Sequence, residues 1–118
     1  MPKTIVVVED NPLILKIVSK LLISSGYKTI TYNCCNELYH HLDLNSVDLI
    51  IIDNQLPDGS GEDIINFLKE QSEKQIKKVI LTAYELESDQ LQYEVNAVIK
   101  KPWGNRDFIA EIQHILDN

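Results

Sequence analysis

Short apolar runs that end in charged residues alternate along this chain with segments whose apolar positions recur at helical spacing. The run at 4–8 is β-branched throughout and finishes at Glu9 and Asp10; an unbroken apolar run of that length fits a strand buried on both faces. Asn11 then offers a helix cap and Pro12 takes the first helical position. Leu13, Ile14, Ile17, Val18, Leu21 and Leu22 form one stripe until Gly26 stops it. Residues 28–32 alternate weakly as a second strand, and residues 36–44 carry Leu38, His41 and Leu42 on one side of a modest helix. The run at 47–53 is the most apolar and again ends in a carboxylate, Asp53, after which Leu56-Pro57-Asp58-Gly59-Ser60-Gly61 reads as a loop.

Ile64, Ile65, Phe67 and Leu68 mark a third helix, and residues 79–82 form a fourth strand behind the basic pair Lys77 and Lys78. A short fourth helix is expected over 87–95, with Leu91 and Val95 four apart and Asn96 in the left-handed C-cap conformation. Residues 97–101 give a fifth strand, closed by Pro102. From Asn105, a last helix places Phe108, Ile109, Ile112, Ile115 and Leu116 on its buried stripe. Five strand–helix units in this order predict an α/β fold: a doubly wound parallel sheet with right-handed crossovers and helices on both faces. Ligands of such sheets bind at the carboxyl ends of the strands.

Length and charge narrow the picture. A chain of 118 residues fits one domain spanning 1–118, and its 44% apolar and 25% charged composition is that of a packed globule. A net charge of −7 repels phosphate backbones and anionic lipid, so neither nucleic acid nor membrane is an expected partner; proteins or small phosphates are. No apolar run approaches the roughly 20 residues of a membrane span, and the first residues lead straight into a strand, so a cytoplasmic location is expected. Cys34 and Cys35 are adjacent, which is neither a disulfide-framework nor a zinc spacing, and they read as reduced thiols near a helix start. His40, His41 and His114 do not converge on one face and read as surface side chains.

The candidate chemistry lies at the strand ends. Glu9 and Asp10 follow the first strand, Asp53 the third, Thr82 ends the fourth and Lys101 the fifth. Three carboxylates facing one crevice repel and call for a cation to offset the cost. With oxygen donors and no His or Cys among them, a hard divalent ion such as Mg²⁺ suits the set better than zinc, with Mn²⁺ as an alternative. An exposed carboxylate beside such an ion can attack phosphorus, making Asp53 a phosphoacceptor. Lys101 then supplies positive charge, and Thr82 a hydroxyl, for the phosphoryl oxygens.

Val8-Glu9-Asp10-Asn11-Pro12, Ile52-Asp53-Asn54-Gln55-Leu56-Pro57-Asp58-Gly59, Leu81-Thr82-Ala83 and Lys100-Lys101-Pro102-Trp103, in that order and spacing, resemble bacterial two-component response-regulator receiver domains over the whole chain. The resemblance implies a flavodoxin-like sheet of order 2-1-3-4-5. It also implies phosphorylation of Asp53 from a sensor histidine kinase or phosphotransfer protein, and phosphorylation-switched binding of an unidentified downstream protein, without sustained turnover. By position it puts Asp10, Asp53 and the Gln55 carbonyl on Mg²⁺, with Glu9 acting through water. Thr82 and Lys101 bind the phosphoryl group, Pro57 and Gly59 shape the loop beneath it, and the Lys101-Pro102 peptide is a candidate cis bond. Whether two copies pair as a homodimer, and whether the chain stands alone or comes from a larger protein, is left open.

Departures from the family pattern fall where the signal leaves the site. Val98 stands in place of the usual aromatic switch residue three positions before Lys101, and the segment between Thr82 and Lys101 is a few residues short. Both favour a second reading, a receiver-like interaction scaffold that acts independently of phosphate. Tyr84 stands where the family tunes access to the phosphoryl group, and is either a shield over it or an exposed loop side chain. Trp103 is either an anchor for a partner or packed on the last helix. An aspartyl-phosphate phosphohydrolase is disfavoured because Asp53-Asn54-Gln55 lacks the Asp-x-Asp pattern, and a flavin carrier because acids stand where a phosphate loop would follow the first strand.

Overall fold

The computed structural model describes residues 2–71, 76–83 and 95–117. Its main sheet has five parallel strands, β1 (Thr4–Val8), β2 (Lys28–Tyr32), β3 (Leu49–Asp53), β6 (Lys77–Thr82) and β7 (Ala97–Lys100), in the order β2-β1-β3-β6-β7. Counting only these five, that is the 2-1-3-4-5 order. A short antiparallel ladder joins β4 (Gln55–Leu56) to β5 (Gly59–Ser60). The helices are α1 (Pro12–Ser24), α2 (Cys35–His41), α3 (Gly61–Gln71) and α4 (Asn105–Asp117).

Every residue of β1 and β3 is buried, as their unbroken apolar runs require of strands covered on both faces. Alternate side chains feed two cores. Val6, Val8, Ile50 and Ile52 pack with Leu38, Ile64 and Ile65 under α2 and α3. Ile5, Val7, Leu49 and Ile51 pack with Val18, Leu22, Phe108 and Ile112 under α1 and α4. The strands β2 and β7 form the two edges and are only partly covered.

Local chemistry sets the helix ends. The Asn11 side chain accepts from the backbone N–H of Leu13 (3.0 Å) and Ile14 (3.3 Å), and Pro12 fills the first helical position, where its missing N–H costs nothing. Gly26 ends the turn after α1 at φ +93°, a conformation that favours glycine. Ser60 and Asp63 cap α3 reciprocally: the Ser60 N–H donates to Asp63 Oδ2 (3.0 Å) and the Asp63 N–H to Ser60 Oγ (3.2 Å).

Several expectations are corrected. The helix expected at 36–44 is α2 plus a separate 3₁₀ turn, Leu44–Ser46, capped by Asp43, and His41 lies exposed while Leu38 is buried. The strand expected from residue 47 begins at Leu49, and the fourth strand begins two residues early, at Lys77. Asn96 is not left-handed, since no described residue other than glycine has positive φ. It instead extends the edge of β6, donating its N–H to the Lys78 carbonyl (2.8 Å) and accepting the Lys78 N–H at Oδ1 (2.9 Å). The segment read as loop at 56–61 contains Leu56 of β4, all of β5 and Gly61, the first residue of α3. On α1, Leu13 and Ile17 are 65% and 40% exposed, so only part of the apolar stripe is covered. The helix expected at 87–95 lies, but for Val95, outside the described residues, as does Tyr84.

Candidate functional site

Because β1 and β3 are central neighbours, their carboxyl ends bring Glu9, Asp10 and Asp53 to one edge of the sheet. Oxygens of the three carboxylates lie within 4.8 Å of one another. Glu9 is fully buried, Asp53 nearly so, and Asp10 is exposed. The Glu9 N–H donates to the Tyr32 carbonyl (3.1 Å) at the end of the edge strand β2, which continues the β1–β2 pairing to the site.

From β6 and β7 come Thr82, buried at its strand end, and Lys101. The Lys101 N–H donates to the Thr82 carbonyl (2.7 Å), so the two last strands are still paired where their side chains reach the site. Lys101 Nζ stands 3.3 Å from Glu9 Oε1 and 3.5 Å from Asp53 Oδ1, bridging the two buried acids. The Lys101-Pro102 peptide is cis. Trp103 beyond it stacks on Phe108 of α4, with ring centroids 5.2 Å apart, so it packs within the chain.

The loop after Asp53 is held at several points. The Gln55 N–H donates to Asp53 Oδ1 (3.2 Å), the Asn54 N–H to the Leu81 carbonyl (2.9 Å) and the Gly61 N–H to the Asn54 carbonyl (3.3 Å). Pro57 and Gly59 lie in and beside the β4–β5 turn. A cleft of about 290 Å³ opens here, lined by Asp10, Asp53, Asn54, Gln55, Leu56, Pro57, Thr82 and Ala83. Val98 is 38% exposed on the edge strand and takes no part in it.

Two loop residues had no role assigned from sequence. At Gly61 a Cβ would stand 2.9 Å from Ile80 Cδ1 and 3.4 Å from Asn54 Oδ1, so a side chain there would displace the Ile80 side chain and crowd that of Asn54 next to Asp53. The pattern Ser60-x-x-Asp63 ahead of Ile64-Ile65 is the legible signal that a helix starts at this glycine. Asp58 caps α2, accepting the N–H groups of Cys35 and Asn36 at 2.8 Å each. What burial Asp58 has works to raise its pKa, but the amides of Asn36 and Cys35 outweigh it and hold the carboxyl below its ordinary value. No local pattern marks this contact, because it spans more than twenty residues.

Burial pushes the Glu9 carboxyl from an ordinary 4.5 up to about 8; a hydrogen bond with Asp53 and that residue's charge act in the same direction, and Lys101 opposes them. The folded chain therefore holds a proton that the unfolded chain releases, and stability falls as pH rises from the ordinary carboxyl range toward about 8. In EDTA, the unfolding free energy of the wild type from urea titration is expected to drop between pH 5 and pH 8 relative to Glu9→Gln, by on the order of a few kcal/mol. Parallel pH profiles for the two proteins would contradict this account. The donor set fits a hard divalent cation: oxygen ligands converge, no His or Cys joins them, and the buried carboxylate is costly to ionise alone.

A family model described as the response regulator receiver domain matches residues 5–113. The polar-differentiation response regulator DivK of Brucella anthropi is 34% identical over 120 aligned positions, covering 98% of each chain, and that of Brucella ovis is 33% identical over the same span. Among solved structures, the non-phosphorylated HemR receiver domain of Leptospira biflexa superposes with a TM-score of 0.89 at 24% identity, covering 98% of this chain and 95% of that one. The receiver domain of a Pseudomonas aeruginosa sensor histidine kinase, with a magnesium ion coordinated in its active-site cleft, does so at 0.87 and 23%, with full coverage of both. Among the described residues no helix is long and apolar enough to cross a membrane. With strand order, acidic edge and sequence all in agreement, this chain belongs to the response regulator receiver domain family of two-component systems.

Proposed function

We propose that Asp53 accepts a phosphoryl group from a phosphohistidine of a sensor histidine kinase or phosphotransfer protein, and that this switches the binding of a downstream protein. The observation that carries the reading is the position of Asp53. It ends a central strand, opens onto the cleft, has Glu9 and Asp10 oxygens within 4.8 Å, and has the Lys101 ammonium 3.5 Å away. An Asp53 oxygen forms the new bond to phosphorus as the phosphorus–nitrogen bond breaks, and the electron pair leaves with the imidazole. Lys101, already 3.5 Å from Asp53, turns its charge to the incoming phosphoryl oxygens, and the Thr82 hydroxyl stands at the adjacent strand end to donate to them.

Asp10, Asp53 and the Gln55 carbonyl are the residues that would hold Mg²⁺, with Glu9 behind them; the magnesium recorded in the Pseudomonas relative supports the assignment. When bound there, such a cation would supply neutralisation of the charge that builds on the transferred group. The 118 residues act as one unit that assists its own phosphorylation and dephosphorylation without turning over a substrate. Intact mass of the wild-type chain incubated with acetyl phosphate is expected to rise by one phosphoryl group with Mg²⁺ and not with EDTA. No gain in either condition, or equal gain in both, would count against this reading.

One observation favours a scaffold that ignores phosphate: the position of the usual aromatic switch is an aliphatic, partly exposed Val98 on the edge strand. Equal affinity for a partner with and without beryllofluoride would select it.

A further inference from the structure

Asp58 joins the phosphoacceptor loop to a helix far from it in sequence. Its two carboxylate oxygens take the Cys35 and Asn36 amides of α2, each at 2.8 Å. The residue at the N-cap of α2 itself, Cys34, makes no side-chain capping bond, so the loop supplies the cap that the helix lacks. A second observation shows how closely the two elements lie: a Cβ added at Gly59 would be 3.0 Å from Cys35 Sγ and 3.0 Å from Asp63 Oδ2. Leu56, on the other side of the turn, is buried in the same core as Cys35 and Leu38.

The turn is therefore clamped between α2 and α3. Asp58 holds its tip to α2, and the reciprocal Ser60–Asp63 pair holds its second strand to the start of α3. Between these fixed points runs Gln55, paired with Ser60 across the ladder and bonded through its N–H to Asp53. Gln55 and Pro57 are themselves exposed, so their own side-chain burial does little to fix the backbone that carries the Gln55 carbonyl.

We propose that Asp58 is a positioning residue for the cation site: by tethering the β4–β5 turn to α2 it holds the Gln55 carbonyl and the Asp53 carboxylate in register for a divalent ion. This rests on the Mg²⁺ reading of the site given above. Outer partners that orient metal ligands typically alter affinity by 10- to 100-fold when removed, and about a tenfold loss is expected here.

The test is Mg²⁺ titration by isothermal calorimetry, beside thermal unfolding without metal, on wild type, Asp58→Ala, Asp58→Asn and the double variant Asp58→Ala/Cys34→Ser. Asp58→Ala is expected to bind Mg²⁺ about tenfold more weakly and to melt earlier. Asp58→Asn, which keeps one acceptor oxygen, is expected to fall between it and wild type, and serves if the alanine variant does not fold. Serine at position 34 restores a cap to α2 without restoring the tether, so the double variant is expected to regain melting temperature but not affinity. Recovery of both would reduce Asp58 to a helix cap and overturn the proposal, as would unchanged Mg²⁺ affinity in Asp58→Ala and Asp58→Asn. Absence of Mg²⁺ binding by the wild type would instead overturn the reading of the site, and the tether's role with it.

Discussion

Asp53→Asn is expected to take up no phosphoryl group from acetyl phosphate and Mg²⁺ and, in EDTA, to be more stable than the wild type by about 1–2 kcal/mol. The first result follows from chemistry, since an amide oxygen is no nucleophile toward phosphorus under these conditions. The second follows from the crowding of charge. Asp53 shares its edge of the sheet with Glu9 and Asp10, all within 4.8 Å, while Lys101 is the ammonium that bridges two of them. Asparagine keeps an acceptor for the Gln55 N–H, so the loop bond survives while the repulsion goes. Because Asp53 is one cause of the raised Glu9 pKa, the fall in stability toward pH 8 should also flatten. Intact mass and urea unfolding at two pH values check the three statements together. Phosphate on the variant would mean another acceptor, and unchanged stability would mean that Lys101 alone balances the acids.

The same crowding of charge explains why the strand ends are the readable part of this chain. A cluster of acids at the ends of β1 and β3 has no value to folding, so its presence in the sequence points to chemistry. The central strands were equally legible, because burial on both faces leaves an unbroken apolar run. Chain order then places Glu9, Asp10, Asp53, Thr82 and Lys101 together without any knowledge of side-chain contacts.

Legibility ended where the deciding contact is distant in sequence. Periodicity marked the apolar face of α1, but how far its neighbours extend along it decides that Val18 and Leu22 are buried while Leu13 and Ile17 are not. Asn96 has the composition of a helix cap, yet a two-way bond to Lys78 makes it a continuation of the sheet edge. The turn at Pro57–Asp58 looked like an unstructured connection because its partners are the Cys35 and Asn36 amides, and nothing local to either segment announces the pairing.

Lys101→Met is expected to slow phosphoryl uptake by about 10²- to 10³-fold and to destabilise the metal-free chain by about 3 kcal/mol at pH 9, with a smaller loss at pH 5. Methionine keeps much of the apolar stem and removes the ammonium, so packing changes little and charge changes fully. At pH 9, where Glu9 of the wild type is mostly ionised beside Lys101, the variant has to ionise a fully buried Glu9 beside Asp53 without that ammonium, or else keep it protonated. Lys101 is what lowers the Glu9 pKa against burial, so its loss pushes that carboxyl higher still and extends the fall in stability beyond about pH 8, where the wild type levels off. At pH 5 Glu9 is already mostly neutral in the folded chain, and the missing ammonium is felt mainly through Asp53, 3.5 Å away. Mg²⁺ should narrow the gap at pH 9, because a divalent ion offsets the same carboxylates. Urea unfolding at both pH values, with and without Mg²⁺, measures the electrostatic part, and a time course of intact mass measures the transfer. A normal rate of uptake paired with lost stability would show that the Lys101 charge serves only to hold two acids together, and would remove it from the phosphoryl-binding role.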